Sequence, residues 1–425
     1  MNRALIFFAL PAALMLAAPQ ARGQGYTLEQ CQQLAQANYP QVRQLELIGQ
    51  TEDYNLSNAS KGYLPQLSLS AKATYQTQVV EFPDIPIPGV TFPKMNKDQY
   101  QAMVQLNQVI WDGGQIGAAK EGIRSATEVQ KRQWEVDMYA LRSRVNDLFF
   151  SILLLDGQME VNRTNLAELE RNYNNVQSYM RNGVANQGDL DAVRVEQLAV
   201  GQANIQLAAA REAYGRVLFT FLGEEYRDGF TLVAPPLAAP DMSTLEHRPE
   251  MALFDALADQ QRSQLSAIRS KNMPRLALFI QGAYANPGLN FLKTGWTPYA
   301  IGGVTLSWNF GSLYTLGNEK RAVQSNLRMI DNRREVFLFN ANQQAIGQNA
   351  AMQQYLKLME SDQQIIDLRE SIRKVTEGKV RYGTATASDL TRDLNLERIA
   401  RTNKVLHHIE SLKSLYELKN TTNNQ

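Results

Sequence analysis

Residues 141–183 read LRSRVNDLFFSILLLDGQMEVNRTNLAELERNYNNVQSYMRNG and carry the strongest structural signal of the chain. One row of apolar residues recurs every seven positions, at Val145, Ile152, Met159, Leu166, Tyr173 and Met180. A second row, broken only at Asn162, consists of Leu141, Leu148, Leu155, Leu169 and Val176. Heptads sustained over this distance predict helices packed as a coiled coil rather than as a compact globule.

The distribution of proline supports very long helices on both sides of this stretch. All 15 prolines lie outside the spans 94–234 and 299–425. Proline is excluded from helix interiors because it lacks an N–H group and clashes with the preceding turn. We therefore predict a helix from about Asp112 to Asn182, roughly 100 Å long at 1.5 Å per residue. Beyond Gly183 the apolar row resumes at Val193, Val200, Leu207, Tyr214 and Phe221.

The chain is a tandem repeat. An offset of 209 residues relates Pro40 to Pro249 and Pro65 to Pro274. An offset of 200 residues relates the Gly-x5-Asp-Leu segment at Gly183 to the one at Gly383. Ordered landmarks of this kind indicate duplication of one unit. The first copy has gained about ten residues in the proline-rich stretch FPDIPIPGVTFPK, which is typical of an exposed loop.

Four short segments alternate apolar and polar residues and predict strands. Their apolar positions are Leu67, Leu69, Ala71, Ala73 and Tyr75; Tyr100, Ala102, Val104 and Leu106; Leu276, Leu278, Ile280 and Tyr284; and Val304, Leu306 and Trp308. Aromatic residues cluster near both ends of these segments, as they do at membrane interfaces. One such segment alone is equally typical of a soluble sheet. Together with the long helices they favour a transmembrane β-barrel with lipid outside and water within.

A sheet in lipid tolerates no open edge, because unpaired backbone groups find no water there. Closure takes about eight strands, and one chain provides four. The sequence therefore predicts a barrel shared between several copies around a cyclic axis.

The N-terminus and the overall composition narrow the classes of function. Residues 1–23 begin with a cation at Arg3, continue as an apolar run and end in small residues, which predicts a secretory signal peptide. The 43 Lys and Arg residues are balanced by 42 Asp and Glu, which argues against a nucleic-acid binder. One cysteine, Cys31, and three histidines leave little material for disulfides or metal sites. We expect no cofactor, no metal and no enzymatic activity.

Several segments of the chain resemble the TolC-like family of outer-membrane efflux channels. They are the opening TLEQCQQLAQANYPQV, the paired strand starts YLPQLSL and MPRLALF, the junction VIWDGGQIGAAK and the two Gly-x5-Asp-Leu turns. The resemblance implies a mainly α fold with a small β part, in which long antiparallel helices form an α-barrel. It also implies a homotrimer with a shared 12-stranded β-barrel in outer-membrane lipid. The chain departs from the family pattern at SWNFGSLYTLGNEK and at Arg392.

On this resemblance the chain is a passive exit duct that extends from the outer membrane into the periplasm. Its partners are a periplasmic adaptor (membrane fusion protein) and an inner-membrane transporter. The adaptor would contact the tips Gly183-Val184 and Gly383-Thr384. The alternative is a secreted coiled-coil structural or adhesive protein with a small soluble sheet.

The two Gly-x5-Asp-Leu turns contain the charged candidates. Gly183 and Gly383 suit helix ends because glycine readily adopts a left-handed conformation. Asp189 and Asp389 fit helix N-termini, where carboxylates are favoured. In a trimer these two residues would also place six carboxylates around the periplasmic entrance. Arg181 and Arg381 are candidates to pair with them and hold the tips closed.

The predicted organisation follows the repeat. Residues 1–23 are the signal peptide, 24–61 form the N-terminal equatorial segment and first helices, and 62–111 form a β-hairpin with extracellular loop 77–98. Residues 112–222 form the long helical hairpin of the first repeat, and 223–248 form an equatorial linker. The second repeat has a helix at 249–273, a β-hairpin at 274–310 with loop 286–298, and a long helical hairpin at 311–420.

Overall fold

A computed structural model describes residues 25–80, 95–237, 245–293 and 295–423 of the protein. The predicted signal peptide and most of the first predicted extracellular loop lie outside the described residues. The helices, in chain order, are α1 (Leu28–Asn38), α2 (Val42–Ser60), α3 (Gln115–Arg181), α4 (Gln187–Leu222), α5 (Pro249–Lys271), α6 (Leu313–Arg381) and α7 (Ala387–Thr422). The strands are β1 (Gln66–Tyr75), β2 (Asp98–Trp111), β3 (Arg275–Asn286) and β4 (Thr297–Ser307). The predicted mainly helical chain with four strands is confirmed.

The chain divides into two compact units. The tip unit comprises the described residues within 1–34, 147–237 and 361–409, and the sheet unit comprises those within 35–146, 238–360 and 410–425. Helices α3 and α6, with 67 and 69 residues, contribute to both units. None of the described helices is apolar enough over 18 residues to cross a membrane.

The sheet unit contains one antiparallel sheet with the strand order β1-β2-β3-β4. The register places the predicted apolar positions within the strands on one face: Leu67 pairs with Leu106, Leu106 with Ile280, and Leu278 with Val304. The prediction is wrong at Trp308, which lies beyond the end of β4 at Ser307. We call this the apolar face. The opposite side, here the polar face, carries Ser68, Gln105, Gln281 and their neighbours in alternate positions. Strands β1 and β4 are its edges, and among the described residues each pairs with a strand on one side only.

Two matching turns join the sheet to the long helices. The buried Asp112 carboxylate accepts hydrogen bonds from the backbone N–H groups of Gly114, at 2.9 Å, and Ile116, at 2.6 Å. Gly113 has φ +70°, and a Cβ there would lie 2.6 Å from Cβ of Met273. In the second repeat the side-chain oxygen of Asn309 accepts from the N–H of Gly311 at 3.0 Å. Asparagine thus takes over the turn-forming role of Asp112, although the Asp-Gly-Gly motif is absent there.

The core of the tip unit is built from all four long helices. Its buried members are Leu169, Val176, Leu190, Val193, Val200, Val380, Ala387, Leu390 and Leu394. Asn162, which interrupts the predicted apolar row, is buried and donates to the side-chain oxygen of Asn204 at 3.0 Å. A buried asparagine at a heptad position that bonds to a polar residue of the neighbouring helix fixes the register of the two helices at some cost in stability.

The predicted apolar row of α4 is wrong at Tyr214, whereas Leu207 and Phe221 are half-buried. Tyr214 is exposed, whereas Gly215, Leu218, Phe219 and Leu222 are buried. A straight α-helix has 3.6 residues per turn, so a strict seven-residue repeat drifts by about 20° per heptad. The buried stripe therefore moves by one position over the length of the helix.

Candidate functional site

The tip turns, residues 182–186 and 382–386, have the same backbone. Gly183 and Gly383 adopt φ of 73° and 72°. Gly183 N–H donates to the carbonyl of Met180 at 3.1 Å, and Val184 N–H donates to that of Tyr179 at 2.9 Å. The second turn repeats both bonds from Gly383 and Thr384, at 3.0 and 2.9 Å. This is the Schellman arrangement, which satisfies the last carbonyl groups of a helix.

Each following helix begins with a reciprocal cap. The Asn186 side chain accepts from the Asp189 N–H at 3.1 Å, and the Asp189 carboxylate accepts from the Asn186 N–H at 3.1 Å. In the second repeat Thr386 and Asp389 make the same two bonds, both at 3.1 Å. The Thr386 hydroxyl also donates to Asp389 at 2.8 Å. These bonds, with Arg392 nearby, hold the pKa of Asp389 below its usual range.

The two predicted arginines lie beside the turns but do not pair with these carboxylates within one chain. Arg181 donates to the side-chain oxygen of Gln177 at 3.2 Å. Among the described residues, neither Arg181 nor Arg381 forms an ion pair with Asp189 or Asp389. The cation next to Asp389 is Arg392, at 3.4 Å and one turn along the same helix.

The two tip turns lie next to each other at the surface of the tip unit. A Cβ built on Gly383 would lie 3.7 Å from the Cγ1 atom of Val184. The Val184 side chain is 53% exposed, and Tyr382 is also exposed. The residues expected to contact an adaptor therefore form one small surface with an apolar centre.

A buried charge cluster behind the turns was not predicted from the sequence. Glu397, which is 2% exposed, accepts from Arg373 at 2.7 Å and from Arg401 at 2.6 Å. Asp393 is also buried and accepts from the Thr376 hydroxyl at 2.7 Å. Glu397 and Arg401 are four residues apart, a spacing that places them on one helix face and could have predicted this ion pair. The contact with Arg373 depends on how α6 and α7 pair, which one sequence does not reveal.

A polar cavity of about 260 Å³ adjoins this cluster. Its lining consists of Glu168, Arg171, Asn172, Asn174, Asn175, Arg373, Glu377, Leu390 and Leu394. Asn172 is 4% exposed, and its side-chain oxygen has no hydrogen-bond partner among the described residues. Such a group is commonly satisfied by a bound water.

Comparison with known protein families gives a match to the first repeat of the chain. Residues 32–224 match the family described as outer membrane efflux protein. The chain carries an outer membrane efflux protein domain. The match covers the first repeat of the chain. No curated protein sequence matches the chain.

Solved structures of three outer membrane proteins, two of them described as channels, share the fold of this chain over both repeats. VceC of Vibrio cholerae has a TM-score of 0.69 at 13% identity, over 93% of this chain and 95% of that chain. MtrE of Neisseria gonorrhoeae has a TM-score of 0.66 at 14% identity, over 93% and 88%. CmeC of Campylobacter jejuni has a TM-score of 0.65 at 13% identity, over 93% and 85%. The fold is that of the TolC-like channels.

The histidine pair and the single cysteine of the chain have contacts that fit a packing role. The ring Nδ1 atom of His407 lies 2.9 Å from the Asp362 carboxylate. His408 follows it directly in the helix, so the two rings point to different sides. Cys31 is buried in α1, and burial raises the pKa of its thiol to about 12. The described residues contain no cluster of His, Cys, Asp and Glu that is suited to a metal ion.

Proposed function

We propose that three copies of this efflux protein form a passive exit duct across the outer membrane. A periplasmic adaptor couples the duct to an inner-membrane pump, which provides the energy for transport. The observation that carries the proposal is the sheet, which has one apolar face and two open edges in a chain of this family.

The apolar face suits lipid contact. Leu67, Leu69, Val304 and Leu306 are all more than half exposed in the single chain. A stack of Tyr100, Trp296 and Tyr284 lies towards the predicted extracellular loops, with ring centroids 6.1 and 5.1 Å apart. Aromatic residues at that level favour a headgroup interface. Pairing of β1 in one copy with β4 in the next would close twelve strands and satisfy every edge.

The long helices carry matching unpaired apolar seams. In the tip unit α6 exposes Ile365, Leu368, Ile372 and Val375, at heptad spacing. Helix α4 exposes Val195, Leu198 and Ile205. Seams of this kind are typical of coiled-coil interfaces. We assign them to contacts between neighbouring copies, so that one assembly closes both the helices and the sheet.

The tip turns would form the periplasmic entrance. Three copies bring three Asp189 and three Asp389 carboxylates around one axis, and such rings select ions. We propose that Arg181 and Arg381 act between copies rather than within one, because neither pairs with these carboxylates in the single chain. The adaptor would contact Gly183, Val184, Gly383 and Thr384.

Purification and conductance measurements test the duct. We expect the protein to leave the membrane fraction only with detergent, to migrate as a heat-sensitive trimer and to form channels in planar lipid bilayers. A monodisperse single chain in buffer without detergent would contradict the proposal. It would instead support a secreted structural protein.

A photo-crosslinking amino acid at position 184 or 384 tests the adaptor contact. We expect a crosslink to a periplasmic protein in cells. The same crosslinker at Gln363, on the exposed surface of α6 away from the turns, provides the control. Equal crosslinking from all three positions would reject the tip assignment.

A further inference from the structure

The polar face of the sheet has an unbalanced charge. Its side chains are mainly amides, hydroxyls and small groups, and its charged members among the described residues are Lys72 and Arg275. Asp98 is the one carboxylate in the four strands, and it lies on the apolar face, two residues before Tyr100. The polar face therefore carries positive charge with no acid to neutralise it.

The two cations differ in their surroundings. Arg275 begins β3 next to the helices and donates to the side-chain oxygen of Gln115. Lys72 lies in the middle of β1, opposite Gln101, and is exposed. It forms no hydrogen bond or ion pair with the described residues of the chain. Among the described residues Lys72 is thus an unpaired cation, and it lies partway along an edge strand of the sheet.

The amides beside Lys72 cannot offset its charge, because they bind one another. Gln101 donates to the Tyr299 hydroxyl at 2.6 Å, across the buried Ala283 and Ala285. Gln281 donates to Gln105 at 3.1 Å, and Gln105 donates to Asn107 at 2.8 Å. This hydrogen-bonded belt is polar but electrically neutral.

We propose that Lys72 makes the outer-membrane end of the duct prefer anions. The inference rests on the proposed trimer, in which the polar face surrounds the water-filled lumen and three copies of Lys72 form a ring. A ring of like charges attracts counter-ions and repels ions of its own sign. The duct would therefore pass neutral and anionic solutes more easily at this end than cationic ones.

The size of the effect follows from screened electrostatics. A single lysine acts weakly on an ion about 10 Å away in water at 0.1 M salt. Three lysines act together, and they favour the anion while disfavouring the cation. The ratio of chloride to potassium permeability should change by about fourfold when the three charges are removed.

Reversal potentials across a KCl gradient, measured on the purified full chain in planar bilayers, test the proposal. We expect Lys72→Gln to lower the chloride-to-potassium permeability ratio about fourfold and Lys72→Glu to lower it more than about tenfold. Lys131→Gln is the matched control. It removes the same charge from α3, where Lys131 pairs with Glu52 at 2.9 Å, and it should leave the ratio unchanged.

The outcomes separate this proposal from the one on which it rests. A Lys72→Glu channel that conducts with the native permeability ratio would overturn the assignment of Lys72. A heat-sensitive trimer that conducts in no form of the protein would overturn the duct itself. The Lys72→Gln variant should fold like the native protein, because glutamine already occupies many positions on the same face. It therefore tests the charge even if Lys72→Glu fails to fold.

Discussion

Single residues at the tip turns hold conformations that few side chains accept. Gly383 has φ +72°, where any Cβ is strained, although open space surrounds the position apart from Val184. Gly378 lies five residues earlier inside α6, without positive φ and with nothing within 4 Å of a built Cβ. The same substitution should therefore have opposite effects at the two positions.

We expect Gly383→Ala to destabilise the protein by about 1 kcal/mol, because alanine is strained in the left-handed region. Gly378→Ala should stabilise it by about 0.5–1 kcal/mol, because alanine is the better helix former. Chemical unfolding in detergent measures both. A Gly383→Ala variant that is as stable as the native protein would show that the tip glycine has no special backbone role.

The cap at Asp389 predicts a dependence on pH. The bonds from Thr386 lower the pKa of Asp389, so the folded state favours the carboxylate. Its stabilising contribution is fully present above the usual Asp pKa of about 3.9 and is lost as the pH falls through the lowered pKa. The protection of the amides in the first turn of α7, measured against the intrinsic exchange rate at each pH, should therefore fall in acid.

Asp389→Asn should accelerate the same exchange already at pH 7. Asp191→Asn is its control. Among the described residues the Asp191 carboxylate accepts a hydrogen bond from the Gln187 side chain, at 2.8 Å, and from no backbone N–H group. Unchanged exchange in the Asp389 variant would show that the cap does not stabilise the first turn of α7.

At the scale of elements, the pairing of α6 with α7 depends on a buried charge. Glu397 is bound by two arginines, Arg373 and Arg401. Removing it leaves both cations without their buried partner. We expect Glu397→Ala to cost about 3 kcal/mol of unfolding free energy.

The exposed pair of Arg216 with Glu212, at 2.7 Å, provides the comparison. Glu212→Ala should cost under about 1 kcal/mol, because solvent screens a surface ion pair. The two variants are compared by chemical unfolding in detergent. Similar losses would contradict the assignment of Glu397 to the interior.

The sequence was most predictive where the spacing of apolar residues matches the repeat of the backbone conformation. The alternation in the strands predicted which residues share a face, and the register confirms it for Leu67, Leu106 and Ile280. It failed at Tyr214, because helical drift accumulates along 36 residues. It missed Arg373 beside Glu397, because that contact joins residues 24 positions apart on different helices.

At the scale of the whole molecule, the apolar seam of α6 predicts a dependence on assembly. Leu368 is 65% exposed in the single chain, and the proposed trimer would bury it. A carboxylate there would be desolvated without a partner. We expect Leu368→Asp to shift the detergent-solubilised protein from trimer towards monomer in light scattering.

Gln363→Asp is the control for this shift, because Gln363 is an exposed polar residue of the same helix, five positions from Leu368 and on another side of the helix. Its trimer should persist. A stable trimer in the Leu368 variant as well would place the contact between copies elsewhere.

The duplicated tip turns also bear on how the protein can evolve. Both copies keep one backbone, but Asn186 corresponds to Thr386 and Val184 to Thr384. Because either cap residue can begin the next helix, selection is free to change the side chains of one copy while the other stays constant. In the proposed trimer a single gene would thereby present two alternating surfaces around one axis, and each could adapt to a different part of the proposed adaptor.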